Sequence, residues 1–169
     1  MKKTMILLTI LMSMFLVIGC TDYGNGDETA PEGTASVTGA DVYSMITEDS
    51  DYRQWDLWPG AGEFYESSGA HGELLTTYVT EDAKIAIENR EGVLPEGSIV
   101  VKEGYTSDRQ LSNIVVMYKV EGYDPEHNDW FWASYSPEGE VLVEGQVDGC
   151  INCHNSAKDN DYLFTSDIG

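Results

Sequence analysis

Two cysteines and a histidine stand late in the chain, in the order Cys150-Ile151-Asn152-Cys153-His154. Thiols three positions apart lie on one turn of a helix, so both can reach the two vinyl groups of a porphyrin, and the adjacent imidazole projects onto the iron from the same side. The spacing is that of covalent c-type haem attachment. It predicts one haem c bonded to Cys150 and Cys153 and ligated by His154. Two other chemistries use part of the pattern. A C-x-x-C redox disulfide belongs after an early strand of a βαβ unit, whereas this pair follows a series of β-like segments. A structural zinc site needs four ligands, and besides His154 only His71 and His127 are available.

The third cysteine, Cys20, has a different context. Met1-Lys2-Lys3 supply a positive start, and Met5 to Gly19 form an apolar stretch too short for a spanning helix of about 20 residues. The stretch ends in Val17-Ile18-Gly19-Cys20, which resembles a bacterial lipobox and makes Cys20 the lipid-attachment residue. An uncleaved membrane anchor is the alternative. Thr21, not aspartate, follows the cysteine, as in a lipoprotein sorted to the outer membrane. Residues 1–19 thus read as a lipoprotein signal peptide, 20–40 as a lipidated flexible tether poor in apolar side chains, and 41–169 as one folded domain. The expected location is the periplasmic side of a bacterial membrane, an oxidising compartment in which c-type haem is attached.

Charge limits the partners. Two of the nine basic residues, Lys2 and Lys3, lie in the leader, leaving seven against thirty acidic side chains and a net charge near −23. Such a surface repels nucleic acid and anionic lipid. Either the acidity simply keeps the protein soluble, or it forms a face that attracts a basic redox partner.

The elements that must position the haem motif are mostly strands. Asp51 to Trp58 could be a short helix ended by Pro59-Gly60. Glu73 to Thr80 alternates as a strand, and Thr80 is a candidate N-cap for a helix over Glu81 to Arg90, with acids in its first turn and Gly92 behind its end. Ser98 to Tyr105, Asn113 to Glu121, Trp130 to Tyr135 and Glu140 to Glu144 follow as strands separated by turn residues. Consecutive strands with short links predict an antiparallel sheet. The fold class is therefore α+β, mainly β, with a few short helices and a C-terminal haem-attachment helix. No internal repeat is present.

Several other residue types invite functional readings. Met117 could ligate a sixth iron position, but it sits mid-strand among Val115, Val116 and Tyr118, where core packing is expected. His71 and His127 have loop-like contexts, which favour structural or surface roles. Trp130, Phe131, Trp132 and Tyr135 form an aromatic strand suited to the sheet core, a haem wall or a dimer face. Val100, Lys102 and Gly104 share one face of their strand, so Lys102 can point into a cavity; a solvated lysine snorkelling from an edge strand is the alternative.

Taken in order, His71-Gly72, Leu94-Pro95-Glu96-Gly97-Ser98-Ile99-Val100-Val101-Lys102-Glu103, Val116-Met117-Tyr118-Lys119, Gly122-Tyr123-Asp124-Pro125, Asn128-Asp129-Trp130-Phe131-Trp132, the haem motif and Asp161-Tyr162-Leu163-Phe164-Thr165 resemble the cytochrome P-460 family from about Trp55 onward. The resemblance implies a mainly β homodimer whose haem iron has a proximal histidine and an open distal face. One class of the family oxidises hydroxylamine and related nitrogen species and carries a lysine cross-linked to a meso carbon of the haem. The other, the cytochromes c-prime-beta, binds nitric oxide in an apolar pocket. The cross-linking lysine falls on Lys102. A gapless alignment puts Glu144 where some catalytic members carry a pocket carboxylate, and Leu75 where hydroxylamine-oxidising members carry an arginine. Two functions are thereby expected. The first is oxidation of hydroxylamine or nitric oxide at an open iron, with Lys102 and Glu144 as catalytic residues and electrons passed to a redox partner. The second is a non-catalytic module that binds nitric oxide or transfers electrons.

Overall fold

The computed structural model describes residues 37–67 and 69–169. The leader, Cys20 and all but the end of the tether lie outside the described residues. Thr38 and Gly39, at that end, already belong to the fold. Thr38 accepts a bond from the Asp41 amide while the Asp41 carboxylate accepts from the Thr38 amide, a reciprocal cap that starts helix α1 (Gly39–Ser44).

Alternating side chains and short polar links build the expected antiparallel sheet, which has seven strands where the sequence indicates five. The strands are β1 (Asp56–Leu57), β2 (Tyr65–Glu66), β3 (Leu74–Val79), β4 (Ile99–Tyr105), β5 (Leu111–Lys119), β6 (Trp130–Tyr135) and β7 (Val141–Gly145). From β3 to β7 each strand pairs with the next in sequence, while β1 and β2 both pair with β3. The β6–β7 turn needs its glycine. Gly139 has φ 89°, and a Cβ there would run into the Tyr43 ring.

Alternation sends the sheet's apolar side chains into two cores. On one face Val79, Val100, Met117, Trp130 and Trp132 pack with α2 (Glu81–Asn89) and α3 (Asp148–His154). On the other, Tyr78, Val101, Val116, Phe131 and Tyr135 pack with Val42 and Ile46 from α1 and the turn after it. Helix α3, which carries Cys150, Cys153 and His154, therefore belongs to the Val100–Met117–Trp132 face.

Two local expectations are corrected. Asp51 to Trp58 is not a helix: Asp51 bonds the Arg53 amide and supports a single 3-10 turn over Tyr52–Gln54, after which the chain extends as β1 and the Trp58 amide donates to the Thr77 carbonyl. Pairing to β3 wins because it satisfies backbone groups that a short isolated helix would leave open. Thr80 does occupy the N-cap position of α2, with extended backbone, but its hydroxyl accepts from the Ile99 amide at 3.1 Å and ties the start of β4 instead of capping the helix. At the other end Arg90 takes the left-handed conformation, φ 58°.

Candidate functional site

β4 lies inside the sheet, with Lys102 opposite Thr77 on β3 and Val115 on β5, so the edge-strand reading of Lys102 does not apply. Val100, Met117 and Trp132 from the sheet, with Leu163 and Phe164 from the segment after α3, wall a cleft of about 140 Å³. Lys102, Cys150, Cys153 and His154 all line it.

Helix α3 brings the motif to the cleft. Ile151, buried between the two cysteines, packs into the core and fixes the helix, so that Cys150 and Cys153, both free thiols, lie one turn apart. Burial, with the neighbouring Cys153, pushes the Cys150 thiol up. The His154 ring is set edge-on between Trp132 and Phe164, at centroid distances of 4.8 and 5.0 Å. Its Nδ1 lies 2.6 Å from the Tyr162 carbonyl oxygen. A carbonyl only accepts, so Nδ1 carries the hydrogen and Nε2 keeps the free lone pair a metal ligand needs. Burial lowers the His154 pKa; the Tyr162 bond opposes this and the Lys102 charge adds to it. Burial alone lowers that of the Lys102 ammonium.

His71 belongs to the site, contrary to its reading as a structural or surface residue. Its ring lines the cleft 6.2 Å from the His154 ring, centroid to centroid. The position is built by residues far away in sequence. The His71 carbonyl accepts from Asn113 Nδ2 at 2.8 Å and occupies the space that a Cβ on Gly104 would need. Only a glycine at 104 permits that approach. Burial, then the charges of Lys102 and His154, push the His71 pKa down to about 4, so its ring is neutral at physiological pH.

Glu144 does not belong to the site. Its β7 position pairs with Ala133, which faces the core opposite the cleft, and its Oε2 accepts from the Gly39 amide at 2.5 Å. Alternation on the strand therefore turns the proposed pocket base to the wrong side of the sheet. His127 has the expected structural role, its Nδ1 2.8 Å from Asp124 Oδ2. Met117 is core and cleft wall at once. Leu75 lines an adjoining recess together with His71 and Lys102.

Among the described residues, no three His, Cys, Asp or Glu side chains gather in a way that could hold a bare metal ion. Comparison with known proteins decides the family: the model of the family described as Cytochrome P460 matches residues 49–165. The chain belongs to the cytochrome P460 family. No curated protein matches it. The match runs from the turn before β1 to the segment behind His154, and so includes the whole cleft. Membership in the cytochrome P460 family implies a haem cofactor, and the cleft fits one. Its wall is largely apolar, His154 offers Nε2 into it, and the Trp132 indole N–H, buried on that wall, has no acceptor among the described residues.

Proposed function

We propose that this chain is an exported, lipid-anchored cytochrome carrying one covalent haem c on Cys150 and Cys153, with His154 as axial ligand, and that it oxidises hydroxylamine or nitric oxide and passes the electrons to a redox partner. The observation that carries the reading is that Lys102 opens into the same cleft as the two thiols and His154. A haem supplies a redox-active iron. The chain supplies the rest. The thiols hold the group, His154 Nε2 orients it, and the apolar wall excludes water and strengthens electrostatic interactions inside. Burial raises the neutral fraction of the Lys102 amine, the form able to bond to a porphyrin carbon. Removal of electrons from hydroxylamine releases protons, and His71, whose neutral ring lines the same cleft, is the candidate acceptor.

A second reading, a module that binds nitric oxide without turnover, is supported by the apolar lining and by Leu75 in place of the arginine of hydroxylamine-oxidising members. The optical spectrum of the reduced holoprotein, with the mass of its haem peptide, separates the two. A cross-linked macrocycle with hydroxylamine-dependent electron release supports the enzyme; an ordinary c-type spectrum without turnover supports the module. The remaining parts of the proposal are Cys20 lipidation, a periplasmic outer-membrane location, a homodimer, and acidic surface as the docking charge for a basic partner.

A further inference from the structure

Three sequence segments, around Leu94, Lys119 and Asn128–Trp130, converge on Asp161. Asp161 accepts from the Leu94 amide at 2.8 Å, from Lys119 Nζ at 2.7 and 2.8 Å through its two oxygens, and from Asn128 Nδ2 at 2.9 Å. Trp130 Nε1 donates to the Asp161 carbonyl at 3.0 Å, and the Trp130 ring lies beneath the Lys119 ammonium. Both members of the ion pair are buried, with side-chain exposures of 4% and 0%. Replacing a buried pair of this kind by neutral side chains of similar volume is often nearly neutral for stability, so the pair is not explained by stability alone.

Its position suggests what it does. Asp161 has φ 52° and Tyr162 φ 63°, two consecutive non-glycine residues in the left-handed region. That conformation is sparsely populated and persists where surrounding bonds over-determine it. The bonds to Asp161 do so, and the result is that the next carbonyl, that of Tyr162, points at His154 Nδ1. An N–H···O=C bond on one imidazole nitrogen raises the basicity of the other.

We propose that Asp161, paired with Lys119, is a positioning residue for the axial ligand: it locks the Tyr162 carbonyl onto His154 and so sets the donor strength of His154 Nε2 toward the haem iron. The inference rests on His154 being the iron ligand. A stronger donor favours oxidised iron and a lower reduction potential, so loosening the lock raises the potential.

The test is the double variant Asp161→Asn/Lys119→Met, which removes both charges and keeps similar volumes. The expected result is a folded protein with covalent haem, a more positive midpoint potential and a lower iron–imidazole stretching frequency by resonance Raman. In the apoprotein, the His154 Nδ1–H proton resonance should move upfield and exchange faster with water. A folded double variant with wild-type potential, stretching frequency and Nδ1–H resonance overturns the proposal and leaves the pair a structural device. If the double variant does not fold, Asn128→Ala, which removes one donor to Asp161, is read instead, and an unchanged potential and Nδ1–H resonance there overturns the proposal equally. The underlying ligand assignment fails by a different result: His154→Ala leaving the axial spectrum of the holoprotein unaltered.

Discussion

Lys102 and Glu103 are neighbours on β4 and face opposite sides of the sheet. Lys102 opens into the cleft, while Glu103, 1% exposed, accepts from Tyr52 Oη at 2.6 Å and Arg53 Nε at 2.9 Å and also bonds the Tyr105 hydroxyl. A register slip of one residue would bury the lysine among tyrosines and put the carboxylate in the cleft. The bonds to Glu103 oppose that slip, so the residue that never meets the cofactor holds Lys102 in place.

Lys102→Leu should therefore fold, retain haem and bind nitric oxide, but show an ordinary c-type spectrum and lose hydroxylamine oxidation. Absorption of the reduced protein and stopped-flow nitric oxide binding check both halves. Wild-type oxidation rates in this variant would remove Lys102 from the chemistry.

Covalent attachment is tested by mass. Intact wild-type protein should gain the mass of one haem after periplasmic maturation, and Cys150→Ala with Cys153→Ala should abolish that gain. A haem that survives denaturation in the double variant would contradict the assignment.

The two candidate bases should now separate. Glu144→Ala loses its bond to the Gly39 amide, a cost of about 0.5–1.5 kcal/mol in urea unfolding, and leaves the oxidation rate unchanged. His71→Ala should slow oxidation, by roughly 10²-fold or more if the ring is the sole proton acceptor. The reverse pattern would restore Glu144 to the mechanism.

Acid should weaken the apoprotein through His71. Its pKa is about 4 in the folded chain against about 6.5 in the unfolded one. Between these values the unfolded state binds more protons, so stability rises with pH: the contribution is complete above about 6.5 and is lost as pH falls toward 4. The effect is of order 2 kcal/mol, since a tenfold difference in proton affinity between the two states is worth about 1.4 kcal/mol and part of the ring meets solvent. His71→Gln should flatten the difference between urea midpoints at pH 7 and pH 5 relative to the wild type. Parallel profiles would show that the ring is not desolvated in the apoprotein.

Radiolabelled palmitate should enter the wild type and not Cys20→Ala. Equal labelling of the two would refute the lipid anchor.

Much of the scaffold was legible because its signals are local. Trp130 to Tyr135 forms β6 with the bounds its aromatic run and flanking turn residues indicate, and Lys102 shares a face with Val100 because period two admits no other arrangement. Glu144 was not legible. Every β7 residue from Val141 to Glu144 is exposed, so no apolar alternation marks the strand's faces, and a bulge between Ser134 and Tyr135 shifts the register that simple counting would assign. His71 escaped for a different reason. What places it is the missing side chain of Gly104 and the amide of Asn113, contacts made across 33 and 42 positions of chain, which no local pattern records.

The place of α3 behind all seven strands also bears on how the protein is made. In a chain exported N-terminus first, as proposed, the complete sheet reaches the folding compartment before Cys150 or Cys153 does, and its sequential hairpins can close without waiting for distant segments. The cleft wall is thus available as a template when Cys150, Cys153 and His154 emerge. On the proposed attachment the haem would meet a sheet already formed, and the tail carrying the Asp161–Tyr162 latch would be the final piece to close behind the histidine.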